Sequence, residues 1–255
     1  MAKARHSFQL AIVLTLAGTG LAQAQGADGY FKGKTLTIAV GGTAGGGIDI
    51  GARMLAQYIG KYYPGEPRDA GLRVSLAPPI EMTMGHGMPG IQGALDHGIR
   101  PSLSSDVDAT MAQDPFTIMR TTLTLQRALV LQRERQGEKN LPPLLTARDV
   151  LEFATIEGAR CAHLDHKTGS LTPGKQADLI LLRTDSLSAW PINNAVGAVV
   201  NVMNPSHVDT VMIDGKMKKW RGHMVGVDTA RVLRLAEEAR AGVLQRCGFK
   251  RDLLE

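Results

Sequence analysis

A chain of 255 residues with 44% hydrophobic and 21% charged residues has the balance of a soluble globular protein and enough apolar material to bury a core, which excludes wholesale disorder. Aromatic residues make up only 4%, so the core must be built from aliphatic side chains and methionine. The formal charge of +5 is mild and its cations are scattered, apart from Lys216, Lys218, Lys219 and Arg221, which read as a solvated edge strand rather than a nucleic-acid surface. The two cysteines, Cys161 and Cys247, are too few for a disulfide scaffold and match no zinc spacing. Each falls in a helical, apolar context and reads as a buried packing residue.

In chain order, residues 1–24 read as a secretory signal peptide. Lys3 and Arg5 give the positive start, Leu10 to Leu21 the apolar stretch, and Ala22-Gln23-Ala24 the small-x-small cleavage site. The apolar stretch is too short and too rich in Gly, Ala and Thr to be a stable membrane span. Its use would make the mature protein periplasmic or secreted. Residues 25–70 then form one strand–loop–helix segment. Gly33 to Val40 is a β-branched run that predicts a buried strand, Gly41 to Gly47 a glycine loop, and Ile48 to Tyr62 a helix. Glycines let a backbone approach a ligand closely, and the first amides of a helix offer free donors to an anion. The lysine of a phosphate loop is missing, so a carboxylate suits this cradle better than a nucleotide.

The run from Phe31 through Gly45-Gly46-Gly47-Ile48-Asp49, with Ala52-Arg53 and Tyr63-Pro64-Gly65-Glu66-Pro67, resembles the N-terminus of periplasmic solute-binding proteins of tripartite tricarboxylate transporters. That resemblance covers residues 1–67. It implies that Gly45, Gly46, Gly47 and Asp49 help to hold a carboxylic acid ligand.

From Leu72 the pattern changes. Arg73 to Pro78 predicts a strand, Gly90 to His97 a short helix, and Arg100 to Asp106 a strand that ends in an acid. Phe116 to Gln136 and Ala147 to Leu164 predict two long helices, and Leu179-Ile180-Leu181-Leu182 an apolar strand. Val196 to Met203 and Val208 to Ile213 read as further strands. Asp214-Gly215 makes a hairpin turn into Met217-Lys218-Lys219-Trp220, and a last helix runs from Asp228 to Arg246.

Two motifs within this stretch, Pro101-Ser102-Leu103-Ser104-Ser105-Asp106 and the Gly-Ser-Leu-x-Pro-Gly-Lys-x-Ala-Asp-Leu run at 169–179, resemble the closing part of the amidohydrolase superfamily, in its chlorohydrolase and nucleobase-deaminase branch. The resemblance implies an α/β fold: a truncated metal-dependent-hydrolase (β/α) barrel over 71–165, and a partial small β-sandwich with a C-terminal helix over 166–255. It implies an enzyme that hydrolyses carbon–nitrogen bonds other than peptide bonds in a small-molecule substrate, with zinc or iron as cofactor. Asp106 then corresponds to the carboxylate that binds the metal and shuttles a proton to the leaving amine, with Asp108 as the fallback.

The family's remaining metal ligands are histidines, including a His-x-His pair. This chain has seven histidines and no His-x-His. His86, between Gly85 and Gly87, is the one best placed to face a pocket; His97, His163, His166, His207 and His223 read as surface or core residues. One acid and one histidine leave the implied site incomplete. The sequence therefore supports three readings: a deaminase-like hydrolase, a periplasmic carboxylate-binding component, or an inactive fusion of two fragments joined near Arg68-Asp69-Ala70-Gly71. It leaves oligomeric state open.

Overall fold

The computed structural model of the chain describes residues 72–249, apart from 86, 108–110 and 113. The predicted leader, the strand–loop–helix segment with Gly45, Gly46, Gly47 and Asp49, and both His86 and Asp108 lie outside the described residues.

Two short strands, β1 (Ser75–Leu76) and β2 (Ser102–Leu103), pair in parallel with Ser75 opposite Ser102 and Leu76 opposite Leu103. Between them run α1 (Pro78–Thr83) and α2 (Ile91–Asp96). The predicted strand over 73–78 is cut to two residues because Pro78 starts a helix: its fixed φ and missing N–H suit the first helical turn and end a ladder.

Helix α3 (Pro115–Arg135) is the spine of the core. Asp114 caps it by accepting the Thr117 N–H at 2.9 Å, Pro115 follows at its first position, and Arg133 and Arg135 lie in its last turn. The cap and the proline suit the free amides of a helix start, and the arginines suit the negative end of the helix dipole. Phe116, Met119, Leu123, Gln126 and Val130 recur every three or four residues and are all buried, which is the spacing of one helical face. Gln126, 1% exposed, donates to Gln92 Oε1 and the Pro143 carbonyl and accepts from the Leu145 N–H, tying the 140–145 loop to the helix.

The single helix predicted over 147–164 is two, α4 (Ala147–Phe153) and α5 (Ile156–Cys161). Thr146 and Asp149 form a reciprocal capping box at the start of α4, and Thr155, at φ −124 and ψ −92, breaks the run. The break lets Val150 and Phe153, both 0% exposed, face the core while α5 turns back towards β2.

The second layer is an antiparallel sheet in the order β3-β4-β5-β6, with β3 (Leu179–Leu182), β4 (Val208–Ile213), β5 (Lys216–Trp220) and β6 (His223–Met224). The Asp214-Gly215 hairpin forms as predicted. The lysine-rich strand β5 lies inside the sheet, next to the two-residue β6, and so is not the edge expected from its charge. A larger correction concerns 196–203: α6 (Ala195–Asn201) replaces the expected strand. Asn194 caps this helix by accepting the Gly197 N–H at 2.7 Å. Ala198, Val200 and Met203 then enter the core beside α4, so a short apolar run bounded by a cap follows the cap rather than its β-branched composition.

The final helix, α7 (Thr229–Cys247), is capped by Asp228 and closed by Gly248, and none of its residues is buried. Cys161 is half-buried and Cys247 exposed, both as free thiols, so the reading of both as buried packing residues fails for Cys247. Among the described residues no helix is long and apolar enough to cross a membrane.

The 169–179 motif is a structural joint between the layers. Gly169 has φ +84, and a Cβ there would lie 2.5 Å from Ala159 Cβ and 3.2 Å from Ile156 Cα. Lys175 donates to the Thr168 carbonyl and Ser170 Oγ. Asp178 accepts from Thr168 Oγ1 at 2.7 Å and from the Asp214 N–H of the hairpin at 2.6 Å. Gly169→Ala is expected to destabilise the protein by about 2–4 kcal/mol, through a left-handed backbone and an overpacked contact with α5 together, measured by urea unfolding.

Candidate active site

In a parallel sheet the C-terminal ends of the strands point the same way, so residues just beyond Leu76 and Leu103 share one end of the β1–β2 pair. Asp106 is one of them. The ladder continues past β2 as the Ser104 N–H donates to the Leu76 carbonyl at 2.8 Å, and the chain then turns at Asp106, which has φ 61. Its N–H donates to Ser104 Oγ at 3.3 Å, and its side chain is exposed. Left-handed backbone is unusual for a residue with a Cβ and is best tolerated by Asn and Asp. The structure thus places Asp106 in a turn just past the strand rather than on it.

A second acid, missed by sequence reasoning, occupies the same end. Glu81 on α1 is 6% exposed. Its Oε1 accepts the Ala77 N–H at 2.8 Å, which closes the turn out of β1, while its Oε2 has no hydrogen-bond partner among the described residues. The signal for it was the Pro78-Pro79-Ile80-Glu81 string, a helix start with an acid in its first turn.

Beside β2 lies an open cavity of about 510 Å³, walled by Ser75, Ser102, Ser104 and Ser105 from the strand side and by Ile118, Gly158 and Cys161 from the helices. Asp106 follows this wall without being part of it. Among the described residues that line the cavity, Cys161 is the one titratable residue and the serines supply hydroxyls for hydrogen bonding.

At the opposite end of the strands the charges are paired. Arg100, two residues before β2, donates to Asp149 at 3.1 Å and Glu152 at 2.9 Å, and lies 3.4 Å from Glu157. Its guanidinium stacks 5.0 Å from the centre of the Phe153 ring. Burial opposes the ionised form of Asp149 most strongly, yet the Thr146 hydroxyl, the Thr146 N–H and Arg100 together outweigh it and hold the carboxyl below its ordinary value.

None of the histidines that sequence reasoning set aside lines the cavity. His97, His163, His166 and His223 are exposed. His207 is 3% exposed, and both its ring nitrogens are engaged: Nδ1 with the Asn204 N–H at 3.2 Å, Nε2 with the hydroxyls of Ser186 and Ser188 at 2.9 and 3.1 Å. Among the described residues no group of three or more His, Cys, Asp or Glu side chains could hold a metal ion.

Comparison with known proteins gives this arrangement a context. A family model described as the amidohydrolase family matches residues 65–218. A 5-methylthioadenosine/S-adenosylhomocysteine deaminase of Acetivibrio thermocellus is 28% identical over 179 residues, covering 70% of this chain and 39% of the relative. A 5'-deoxyadenosine deaminase of Methanothermobacter thermautotrophicus is 30% identical over 171 residues, covering 67% of this chain and 38% of the relative. The chain thus spans about two fifths of the length of the curated relatives it matches.

Among solved structures, a zinc-bound adenosine deaminase from Xanthomonas campestris superposes with a TM-score of 0.61 at 22% identity, over 70% of this chain and 39% of the other. An atrazine chlorohydrolase from Arthrobacter aurescens complexed with zinc gives 0.55 at 21% identity, over 67% and 36%. These two likenesses concern the fold.

Strained residues persist where the surroundings or the function require them. Asp106→Gly is expected to leave the protein as stable as before or to stabilise it by about 0.5–1 kcal/mol, because glycine adopts the left-handed turn freely. Urea unfolding of the full chain checks this; a loss of stability would mean that the Asp106 side chain has a structural task instead.

Proposed function

Because this chain belongs to the amidohydrolase family, we propose that it carries the C-terminal part of a deaminase-like hydrolase acting on carbon–nitrogen bonds of a small molecule, with Asp106 as its proton-handling acid. The observation that carries this reading is the exposed Asp106 carboxylate, presented by a left-handed turn at the C-terminal end of a parallel strand, where barrel enzymes keep their chemistry. The relatives named as deaminases of adenosine-type compounds point to a nitrogen heterocycle with an exocyclic amine.

In such a reaction water adds to the ring carbon that bears the amine, forming a C–O bond and giving up a proton. A carboxylate takes that proton, returns it to the departing nitrogen, and ammonia leaves as the C–N bond breaks. Asp106 is suited to this by its exposure and position. The family implies a divalent metal at this point, but the described residues do not fit one, since no three His, Cys, Asp or Glu side chains among them could hold it. No step is therefore derived through a metal. The carboxylate-binding reading draws no support from the described residues.

The test is release of ammonia from adenosine-type nucleosides by the purified full chain, with zinc or iron supplied. We expect release by the parent protein and a fall of about a hundredfold or more in Asp106→Asn. No release from any such substrate, or release unchanged in Asp106→Asn, would overturn the reading.

A further inference from the structure

The sheet of the second layer has two unlike edges. At one end β6 is two residues long and flanked by the cations of β5 and Arg221, which are common protections against unwanted strand pairing. At the other end β3 has four residues, Leu179-Ile180-Leu181-Leu182, without charge or proline, and Ile180 and Leu181 are 49% and 52% exposed. Among the described residues it pairs with β4 alone. An apolar edge of this kind calls for a covering strand.

The chain carries a candidate outside the described residues. Thr35-Leu36-Thr37-Ile38-Ala39-Val40 lies within the predicted strand over 33–40 and has no charge and no proline. In a strand Leu36, Ile38 and Val40 share one face, and Thr35, Thr37 and Ala39 share the other. Such alternation suits an antiparallel sheet, where one face can meet water, better than a parallel sheet, whose strands are apolar on both faces. Ladder length agrees, since β1 and β2 offer two residues each and β3 offers four.

The tether favours the chain's own segment over a second copy. Residues 41–71 separate this run from the described part, and at up to about 3.3 Å per residue they span on the order of 100 Å when extended, so reach is not limiting. A segment held on such a tether meets the edge at an effective concentration of about a millimolar. A second copy must meet it at the working concentration of the protein.

We propose that residues 35–40 pair with β3 as a fifth strand, so that the segment resembling a solute-binding protein closes the edge of the second layer. The pairing gives that segment a structural task in this chain, independent of the chemistry at Asp106.

Amide exchange of the full chain tests this, and it is read without reference to activity, so its failure is distinct from failure of the Asp106 reading. The amides of 179–182 that point away from β4 are expected to be protected, equally so across about a tenfold range of protein concentration. They are expected to exchange about tenfold or more faster in Ile38→Pro, which removes a ladder N–H, while 208–213 keep their protection. An unprotected outer edge in the parent protein would overturn the proposal. So would protection that a folded Ile38→Pro variant retains, or protection that grows with concentration and so marks a second copy. Should Ile38→Pro fail to fold, nuclear Overhauser contacts between 35–40 and 179–182 in the parent protein decide: their presence supports the pairing, and their absence contradicts it.

Discussion

Glu157 is the residue on which the packing of the parallel strands depends. Its side chain is 2% exposed and is met by three arginines: Arg160 at 2.7 Å, Arg100 at 3.4 Å and Arg73 at 3.7 Å. A carboxylate this deep is tolerable only because it is paired, and removing either side of such a pair costs more than its formation gains. Two of the arginines have the same place in the fold, since Arg73 stands two residues before β1 and Arg100 two residues before β2. One acid on α5 thus fixes the N-terminal ends of both strands, and Arg100 carries the connection on to α4 through Asp149 and Glu152.

Pairing the charges at one end sets the other end apart. The C-terminal ends of β1 and β2 present Glu81 and Asp106, neither with an ion-pair partner among the described residues. This division, ion pairs at the base of the two strands and none at their tips among the described residues, has the same sense as the polarity of a (β/α) barrel. The joint at 169–179 transmits the same rigidity to the second layer. Gly169 lets the chain pass against α5, and Asp178 reaches across to the β4–β5 hairpin. The motif that made the family recognisable is therefore a packing device, and it says nothing directly about catalysis.

Much of this was legible in the sequence. The amphipathic spacing of α3, the Asp214-Gly215 hairpin and the apolar β3 each followed from local pattern, and Asp106 was read as the acid ending a strand that in fact stops at Leu103. What escaped had non-local causes. Gln126 and Glu157 are polar residues buried among partners far along the chain, and nothing in their neighbours' identities announces that burial. The strand expected at 196–203 is a helix because Asn194 caps it and the core beside α4 has room for a helical face, whereas valine content alone argued the other way. The lysines of β5 marked a sheet without revealing that a two-residue strand would cover its outer side.

The central claim, that a buried acid at the base of the strands sets the position of Asp106 at their tips, is tested most directly by native-state amide exchange at Ser104, whose N–H bonds to the Leu76 carbonyl two residues before Asp106. In Glu157→Gln the account predicts that Ser104 exchanges on the order of thirtyfold faster or more, alongside a loss of about 2 kcal/mol in global stability, discounted for the half-exposed arginines. Unchanged exchange at Ser104 in a folded Glu157→Gln protein would contradict it.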